Sequence, residues 1–217
     1  MQARRKTNAA RHLVVFARAP RLGRVKRRLA RDLGALAAWR FHAYNTALLL
    51  RRLGGDARWT TWLAVTPDRA AREAAALWGH RGPVLAQGSG DLGARMGRVL
   101  RWLPPGPVVI VGSDIPGIGG GEVSAAFAAL GRSDFVLGPA ADGGYWLIGA
   151  RRRPAVRLPF AGVRWGGPQA LADTRANMAG RVELLDKLQD VDTAADLRKI
   201  DPAAWTRLVT PPRRGVP

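Results

Sequence analysis

Two short runs constrain this chain most. Leu13-Val-Val-Phe16 and Val108-Val-Ile-Val-Gly112 are apolar without a break. A strand with one wet face alternates apolar and polar side chains. An unbroken apolar strand is buried on both faces, the condition of a parallel sheet covered by helices. Five further strand-like runs accompany them: Arg58–Val65, Pro83–Ala86, Phe135–Pro139, Tyr145–Gly149 and Arg181–Leu185. Between these, helical patterns cover Arg24–Leu53 with a break near Gly34, Ala70–Trp78, Leu92–Leu103, Glu122–Leu130, Pro168–Ala179 and Thr193–Leu208. Strand–helix alternation through the first 140 residues predicts an α/β protein with three α/β/α layers and a mostly parallel sheet. In such sheets ligands bind beyond the carboxyl ends of the strands, so the chemistry is expected just after each strand.

The 217 residues suit one domain, expected over 12–210, with 1–11 and 211–217 as flexible tails. No apolar run approaches the ~18 residues of a membrane span, and Leu13–Ala17 is too short for a signal-peptide core, so the expectation is a cytoplasmic protein. Cysteine is absent. That excludes disulfide scaffolds, thiolate metal sites and cysteine nucleophiles, and three scattered histidines (His12, His42, His80) argue against a histidine-built zinc site.

Charge is extreme, with 35 basic residues against 16 acidic, a net of +19. Only Lys6, Lys26, Lys187 and Lys199 are lysine; the rest are arginines scattered along an Ala/Gly/Pro-rich chain, which reads as compositional bias filling solvated faces. A basic nucleic-acid-binding module is the alternative from a different class, but no RNP-like aromatic pattern or helix-turn-helix signature supports it. The placement of charge is more telling. The first 31 residues hold eleven basic side chains and no acid, while 101–150 hold two basic and four acidic ones. A positive opening and a negative middle suit a site that takes both phosphates and a cation.

After the first strand, Arg18-Ala-Pro-Arg-Leu-Gly-Arg-Val-Lys26-Arg-Arg28 delivers cations at a helix start. Lys26 and Arg28 point to different faces of a helix, yet clasp a pyrophosphate from two sides if the helix has barely begun there. Gln87-Gly-Ser-Gly-Asp-Leu-Gly-Ala-Arg95-Met contains Gly88-x-Gly90-x-x-Gly93, with Asp114 21 residues on. That resembles a dinucleotide fingerprint, but the preceding strand is short and late, and a glycine-rich lead-in with Asp91 as N-cap explains it as well.

The buried strand 108–112 ends in Ser113-Asp114, which places a carboxylate at the sheet's rim, where it suits a hard divalent cation that bridges phosphates. Asp142-Gly143-Gly144-Tyr145-Trp146 joins two strands. Asp-Gly is a favoured hairpin dipeptide, while the glycines before aromatics let a ligand approach backbone and stack. In Asp190-Val-Asp192-Thr193-Ala-Ala-Asp196, Thr193 and Asp196 have capping-box spacing, and that cap does not use Asp190 or Asp192. On an extended chain these two lie on the same side and can share a metal with Asp114.

Taken in order, these segments resemble the nucleotide-diphospho-sugar transferase superfamily, the GT-A fold, and within it a small bacterial branch of glycosyltransferases, some tied to arsenosugar biosynthesis. That branch carries F-x-K-x-P-x-x-G-x-x-K-T-R-L, Q-x-G-x-D-L-G-x-R-M, G-S-D-x-P, P-x-x-D-G-G-Y-x-L-I-G and D-V-D-T-x-x-D-L. Here they read FARAPRLGRVKRRL, QGSGDLGARM, GSDIPGI, PAADGGYWLIG and DVDTAADL, spread over residues 12 to 200. Arg18 replaces the usual Lys, Arg27 the usual Thr, and the usual Ser-Thr after Trp165 is missing.

The resemblance implies a mixed sheet and a sugar transfer from a nucleotide-diphosphate sugar to a small-molecule acceptor, assisted by Mg2+ or Mn2+. Arg18, Lys26, Arg28, Gly88, Asp91 and Arg95 then bind the nucleotide and its phosphates. Asp114 holds the metal, with Asp190 and Asp192 as further ligands. Gly143, Gly144, Tyr145 and Trp165 border the acceptor, and Asp142 or one of Asp190 and Asp192 serves as base. The same fold also supports nucleotidyl transfer from an NTP to a phosphorylated acceptor, as in 2-phospholactate guanylyltransferases.

Overall fold

The computed structural model describes residues 10–152 and 157–200. Its elements run β1 (His12–Arg18), α1 (Arg27–Leu33), α2 (Ala35–Gly54), β2 (Thr60–Thr66), α3 (Ala71–Leu77), β3 (Val84–Ala86), α4 (Leu92–Trp102), β4 (Val108–Gly112), α5 (Gly120–Ala129), β5 (Phe135–Pro139), β6 (Tyr145–Ala150), α6 (Ala170–Ala176), β7 (Val182–Leu184) and α7 (Ala194–Ile200). The long first helix of the sequence reading starts three residues late and splits at Gly34, where a φ of 84° ends α1. The reading's continuation of the last helix to Leu208, and most of both proposed tails, lie outside the described residues.

Among the described residues seven strands form one mixed sheet in the order β3-β2-β1-β4-β6-β5-β7. β1 sits between β2 and β4, parallel to both, and β6 alone runs antiparallel, between β4 and β5. The two unbroken apolar strands are therefore neighbours in the middle of the sheet. Leu13, Val14 and Val15 of β1 and Val108, Val109 and Val111 of β4 have no exposed surface. Fully burying an aliphatic side chain contributes about 1.5–3 kcal/mol, which is what drives these runs to the centre.

Each sheet face has its own apolar layer. Leu13, Val15, Leu63, Val109 and Val111 meet α2, α3 and α5 on one face; Val14, Ala64, Ile110 and Ile148 meet Met96, Val99 and Leu100 of α4 on the other. A third, smaller cluster of Leu29, Phe41, Val191 and Leu197 binds α1 and α7 to α2 beside the rim. Among the described residues no helix is long and apolar enough to cross a membrane.

Register decides what meets at the rim. Phe16 pairs with Gly112 across β1 and β4, so Arg18 and Asp114, two residues further on, emerge side by side. Val111 pairs with Leu147 across β4 and β6, which brings the Asp142–Tyr145 turn to the same edge.

Candidate functional site

A cleft of about 590 Å³ opens at the carboxyl ends of β1, β2 and β4. Its walls include Arg18, Arg24, Lys26, Arg27, Arg28, His42, Gln87, Arg95, Asp114 and Asp192. Six of these ten carry positive charge.

Lys26 organises the cleft. It is the residue before α1 and holds a left-handed backbone, φ 45° and ψ 53°, which turns its side chain inward instead of along the helix. The side chain is 6% exposed, and its ammonium lies 3.3 Å from Asp114 Oδ2 and 3.0 Å from Asp192 Oδ1. Arg28 Nη1 reaches the other oxygen, Asp192 Oδ2, at 3.5 Å. The two-sided clasp expected of Lys26 and Arg28 thus exists, and the anion it holds is a carboxylate of the same chain. Burial alone would push the Lys26 ammonium down, but Asp114 and Asp192 outweigh it and hold it above the ordinary lysine range.

Asp114 stays half-exposed beside this pair. Its turn is fixed from below by Asn45 of α2, whose buried amide Nδ2 donates to Ser113 O at 2.7 Å. Three residues earlier on the same helix face, His42 Nε2 meets Arg18 O at 2.7 Å, and its Nδ1 lies 3.8 Å from Asp114 Oδ1. Burial pushes the imidazole below its usual pKa. The Arg18 carbonyl and the Asp114 charge oppose that, and the charges of Lys26 and Arg18 add to it. Buried His42 and Asn45 thus tie α2 to the ends of β1 and β4. Sequence reading set His42 aside as an isolated histidine. The available signal was two polar residues at i and i+3 interrupting the apolar face of Ala38, Phe41 and Leu49.

The glycine-rich segment takes its bland form. Asp91 Oδ1 accepts from Ala94 N at 2.7 Å as the N-cap of α4, and Gly88 N donates to Asp68 Oδ1 at 3.0 Å. Gly93 is needed for packing, since a Cβ there would stand 2.7 Å from Phe160 Cβ and 2.8 Å from Trp165 Cζ2. Gln87 straps the strand ends, donating from Nε2 to Ala17 O and Ala64 O. Of this stretch Gln87, Leu92 and Arg95 line the cleft, while Gly88 and Asp91 flank it.

The remaining candidates gather next to the cleft. Asp142 Oδ1 accepts from Gly144 N at 2.8 Å, so it caps the hairpin turn. Asp190 is half-buried; burial first, and then the charge of Asp142, raise its carboxyl above the usual range, with Asp192 adding and Lys26 opposing. Tyr145 and Trp165 meet edge to face at 6.4 Å; the buried Tyr145 OH lies against Thr174, and Trp165 Nε1 is buried without a hydrogen-bond partner among the described residues. Gly143 is held at φ 86°, and a Cβ there would lie 2.6 Å from Pro168 Cα.

Carboxylates are consequently split into two groups. Asp114 and Asp192 share the Lys26 ammonium, and Asp190 faces Asp142. Among the described residues no three His, Asp or Glu side chains enclose a common ion position. The donor set nonetheless fits a hard cation brought in by phosphate. Mg2+ and its relatives commonly use one or two carboxylates plus substrate oxygens and water, and Asp114 offers a half-exposed carboxylate among arginines that attract phosphate.

This arrangement has relatives. A structure from Desulfovibrio desulfuricans G20, provisionally assigned as a nucleotide-diphospho-sugar transferase, is 29% identical, with TM-score 0.81 over 91% of this chain and 90% of that one. The 4-diphosphocytidyl-2C-methyl-D-erythritol synthase of Anaerococcus prevotii DSM 20548 has TM-score 0.60 at 10% identity, covering 91% and 99%. Rv0371c of Mycobacterium tuberculosis H37Rv, solved with manganese, has TM-score 0.51 at 18% identity, covering 88% and 97%. At such identities the last two show the fold alone. No curated protein matches in sequence. The fold is that of nucleotide-diphospho-sugar transferases and nucleotidyltransferases, and the sequence model of one bacterial family spans residues 49–167, from α2 through the Asp114 turn to Trp165. The chain belongs to that family, the uncharacterized proteins conserved in bacteria grouped as DUF2064.

Proposed function

We propose that residues 12–210 form one transferase domain that moves a sugar from a nucleotide-diphosphate sugar to a small hydroxyl-bearing acceptor. The observation that carries this reading is the charge arrangement of the rim cleft. Arg18, Arg24 and Arg27 line it with no hydrogen-bonding acceptor among the described residues, next to a half-exposed Asp114 that Lys26 holds in place. Free arginines bind phosphate oxygens in pairs, and the fixed carboxylate suits a cation travelling with them. Kinship to a provisionally assigned nucleotide-diphospho-sugar transferase supports the same class.

In this reading the bond between the sugar's anomeric carbon and the diphosphate oxygen breaks as the acceptor oxygen attacks that carbon. The arginines of the cleft stabilise the charge that collects on the departing diphosphate, and positioning supplies much of the rest. A divalent ion at Asp114, when bound, adds Lewis-acid neutralisation of that same charge. The acceptor's proton goes to a carboxylate. Asp190 suits this best of the three candidates, because Asp142 caps a turn and Asp192 is held by Lys26 and Arg28.

One observation favours a second reading, nucleotidyl transfer from an NTP. Four of the five arginines lining the cleft, Arg18, Arg24, Arg27 and Arg95, have no carboxylate partner among the described residues, which is more charge than a diphosphate requires and matches a triphosphate.

A thermal-shift panel of NDP-sugars and NTPs with and without Mn2+ tests the class. A ligand at 100 times its Kd stabilises by ~2.7 kcal/mol. Release of nucleoside diphosphate signals sugar transfer, and release of pyrophosphate signals nucleotidyl transfer. Asp114→Asn should abolish the Mn2+-dependent part of the shift. An unchanged Mn2+ dependence in that variant removes Asp114 from the site.

A further inference from the structure

His42 has a job that holding the fold does not account for. Its Nε2 sits 2.7 Å from Arg18 O, and a carbonyl oxygen can only accept, so Nε2 carries the hydrogen. That tautomer leaves the Nδ1 lone pair pointing away from the carbonyl, with Asp114 Oδ1 at 3.8 Å. Two acceptors thus stand across a gap in which neither can donate to the other, and Lys26, the cation at hand, sits on the other oxygen of Asp114.

The surroundings fix what fits. His42 is buried to 4% side-chain exposure yet lines the cleft, so the gap opens toward the ligand and not into the core. Lys26 occupies the opposite oxygen, Asp114 Oδ2, at 3.3 Å, which leaves Oδ1 as the free one. Bonds from nitrogen and oxygen ligands to small divalent ions are each ~2.1 Å, so one ion can reach two ligand atoms up to ~4.2 Å apart. Neighbouring ligand atoms of an octahedral ion stand ~3.0 Å apart, so the half-exposed Asp114 carboxylate closes the observed 3.8 Å by moving about 0.8 Å toward His42 Nδ1. The edge-to-face contact with Trp78, centroids 6.2 Å apart, braces the ring in this orientation.

We propose that His42 Nδ1 and Asp114 Oδ1 form a mixed nitrogen–oxygen mount for the divalent ion, with diphosphate oxygens and water filling the remaining positions. The imidazole shifts preference away from Mg2+, which favours all-oxygen surroundings, toward Mn2+ and Co2+, which accept nitrogen. The inference rests on the reading of Asp114 as the cation residue and adds the ligand that sets which cation is used. The ring orientation is set in turn by the hydrogen bond to Arg18 O, the usual way a protein aims a ligating histidine.

The test is pulsed EPR of Mn2+ bound to the full chain in the presence of inorganic pyrophosphate, which reads directly coordinated imidazole through its 14N modulation. The expected result is a nitrogen modulation in the wild type that disappears in His42→Gln. Mn2+ affinity should fall at least about tenfold in that variant, while Mg2+ affinity, read by competition, stays near the wild-type value. His42→Leu, an apolar side chain that cannot ligate, should behave alike, and the wild-type spectrum alone decides the matter if either variant fails to fold. Bound Mn2+ without nitrogen coupling in the wild type, lost on Asp114→Asn, overturns the histidine ligand and leaves the Asp114 reading intact. Mn2+ binding unchanged in Asp114→Asn, or absent from the wild type, overturns both.

Discussion

Replacing Lys26 separates two effects that act at one residue. Its ammonium is buried between two carboxylates at 3.0 and 3.3 Å, and its backbone sits in the left-handed region at φ 45°. Removing one partner from a fully buried ion pair costs about 3–5 kcal/mol, because the other charge is stranded. Here the stranded groups are Asp114 and Asp192, 52% and 37% exposed, so water recovers much of the loss. The expected destabilisation for Lys26→Met is therefore about 1–2 kcal/mol. For a chain of this size that lowers Tm by roughly 2–8 °C.

Lys26→Gly deletes the same ammonium and also relieves a left-handed conformation that costs a non-glycine residue about 1–2 kcal/mol. It should therefore be more stable than Lys26→Met and lie close to the wild type. Urea unfolding at pH 7.5 measures both. The pH dependence follows from the raised pKa. The folded ammonium binds its proton more tightly than the unfolded one, so the stabilisation is complete below the ordinary lysine value of 10.5 and is lost as pH rises through the folded value. Lys26→Met should lack this alkaline loss. Wild-type stability in Lys26→Met, or Lys26→Gly weaker than Lys26→Met, would refute the account of Lys26 as a clamp on both carboxylates.

Two further perturbations test the rim. Gly143→Ala places a methyl against the Pro168 backbone at a φ of 86°, where neither can yield cheaply, and should destabilise by at least about 2 kcal/mol in urea unfolding. Arg164 grips Asp173 through Nε at 2.9 Å and Nη2 at 2.8 Å, with its own backbone N–H at 3.0 Å. These bonds lower the Asp173 pKa to about 2, the side-chain ones most. The depressed value means that the tie between the 160–167 loop and α6 is whole above the ordinary carboxylate pKa of 3.8 and is lost as pH falls through about 2. In Arg164→Gln, NMR titration should find Asp173 moved up toward 3.8 but still below it, since the backbone donor remains.

Element order, the covered parallel core and the position of each motif just past a strand end were legible in the amino-acid sequence. All three come from local rules: unbroken apolar runs, helical periodicity, and capping residues such as Asp91 and Thr193. The break at Gly34 was readable for the same reason, since one glycine near a helix end is a local signal. What each charged side chain does was not local. Lys26 and Arg28 carry cations wherever they fall, and pattern alone assigned them to an outside phosphate. The fold also pairs them with Asp192, 166 residues from Lys26, because α7 and the segment before it dock on α1 through Leu29, Val191 and Leu197.

His42 shows the same limit from the other side. In sequence its cue is Asn45 three residues on, a polar interruption of an apolar helix face that names no chemistry. Only the packing of α2 across the ends of β1 and β4 sets its ring between the Arg18 carbonyl and the Asp114 carboxylate. Hydrophobic pattern and capping chemistry act over a few residues and so can be read along the chain. Ion pairs, tautomers and strand-end neighbours depend on register and crossover, and these exist only once the sheet has closed.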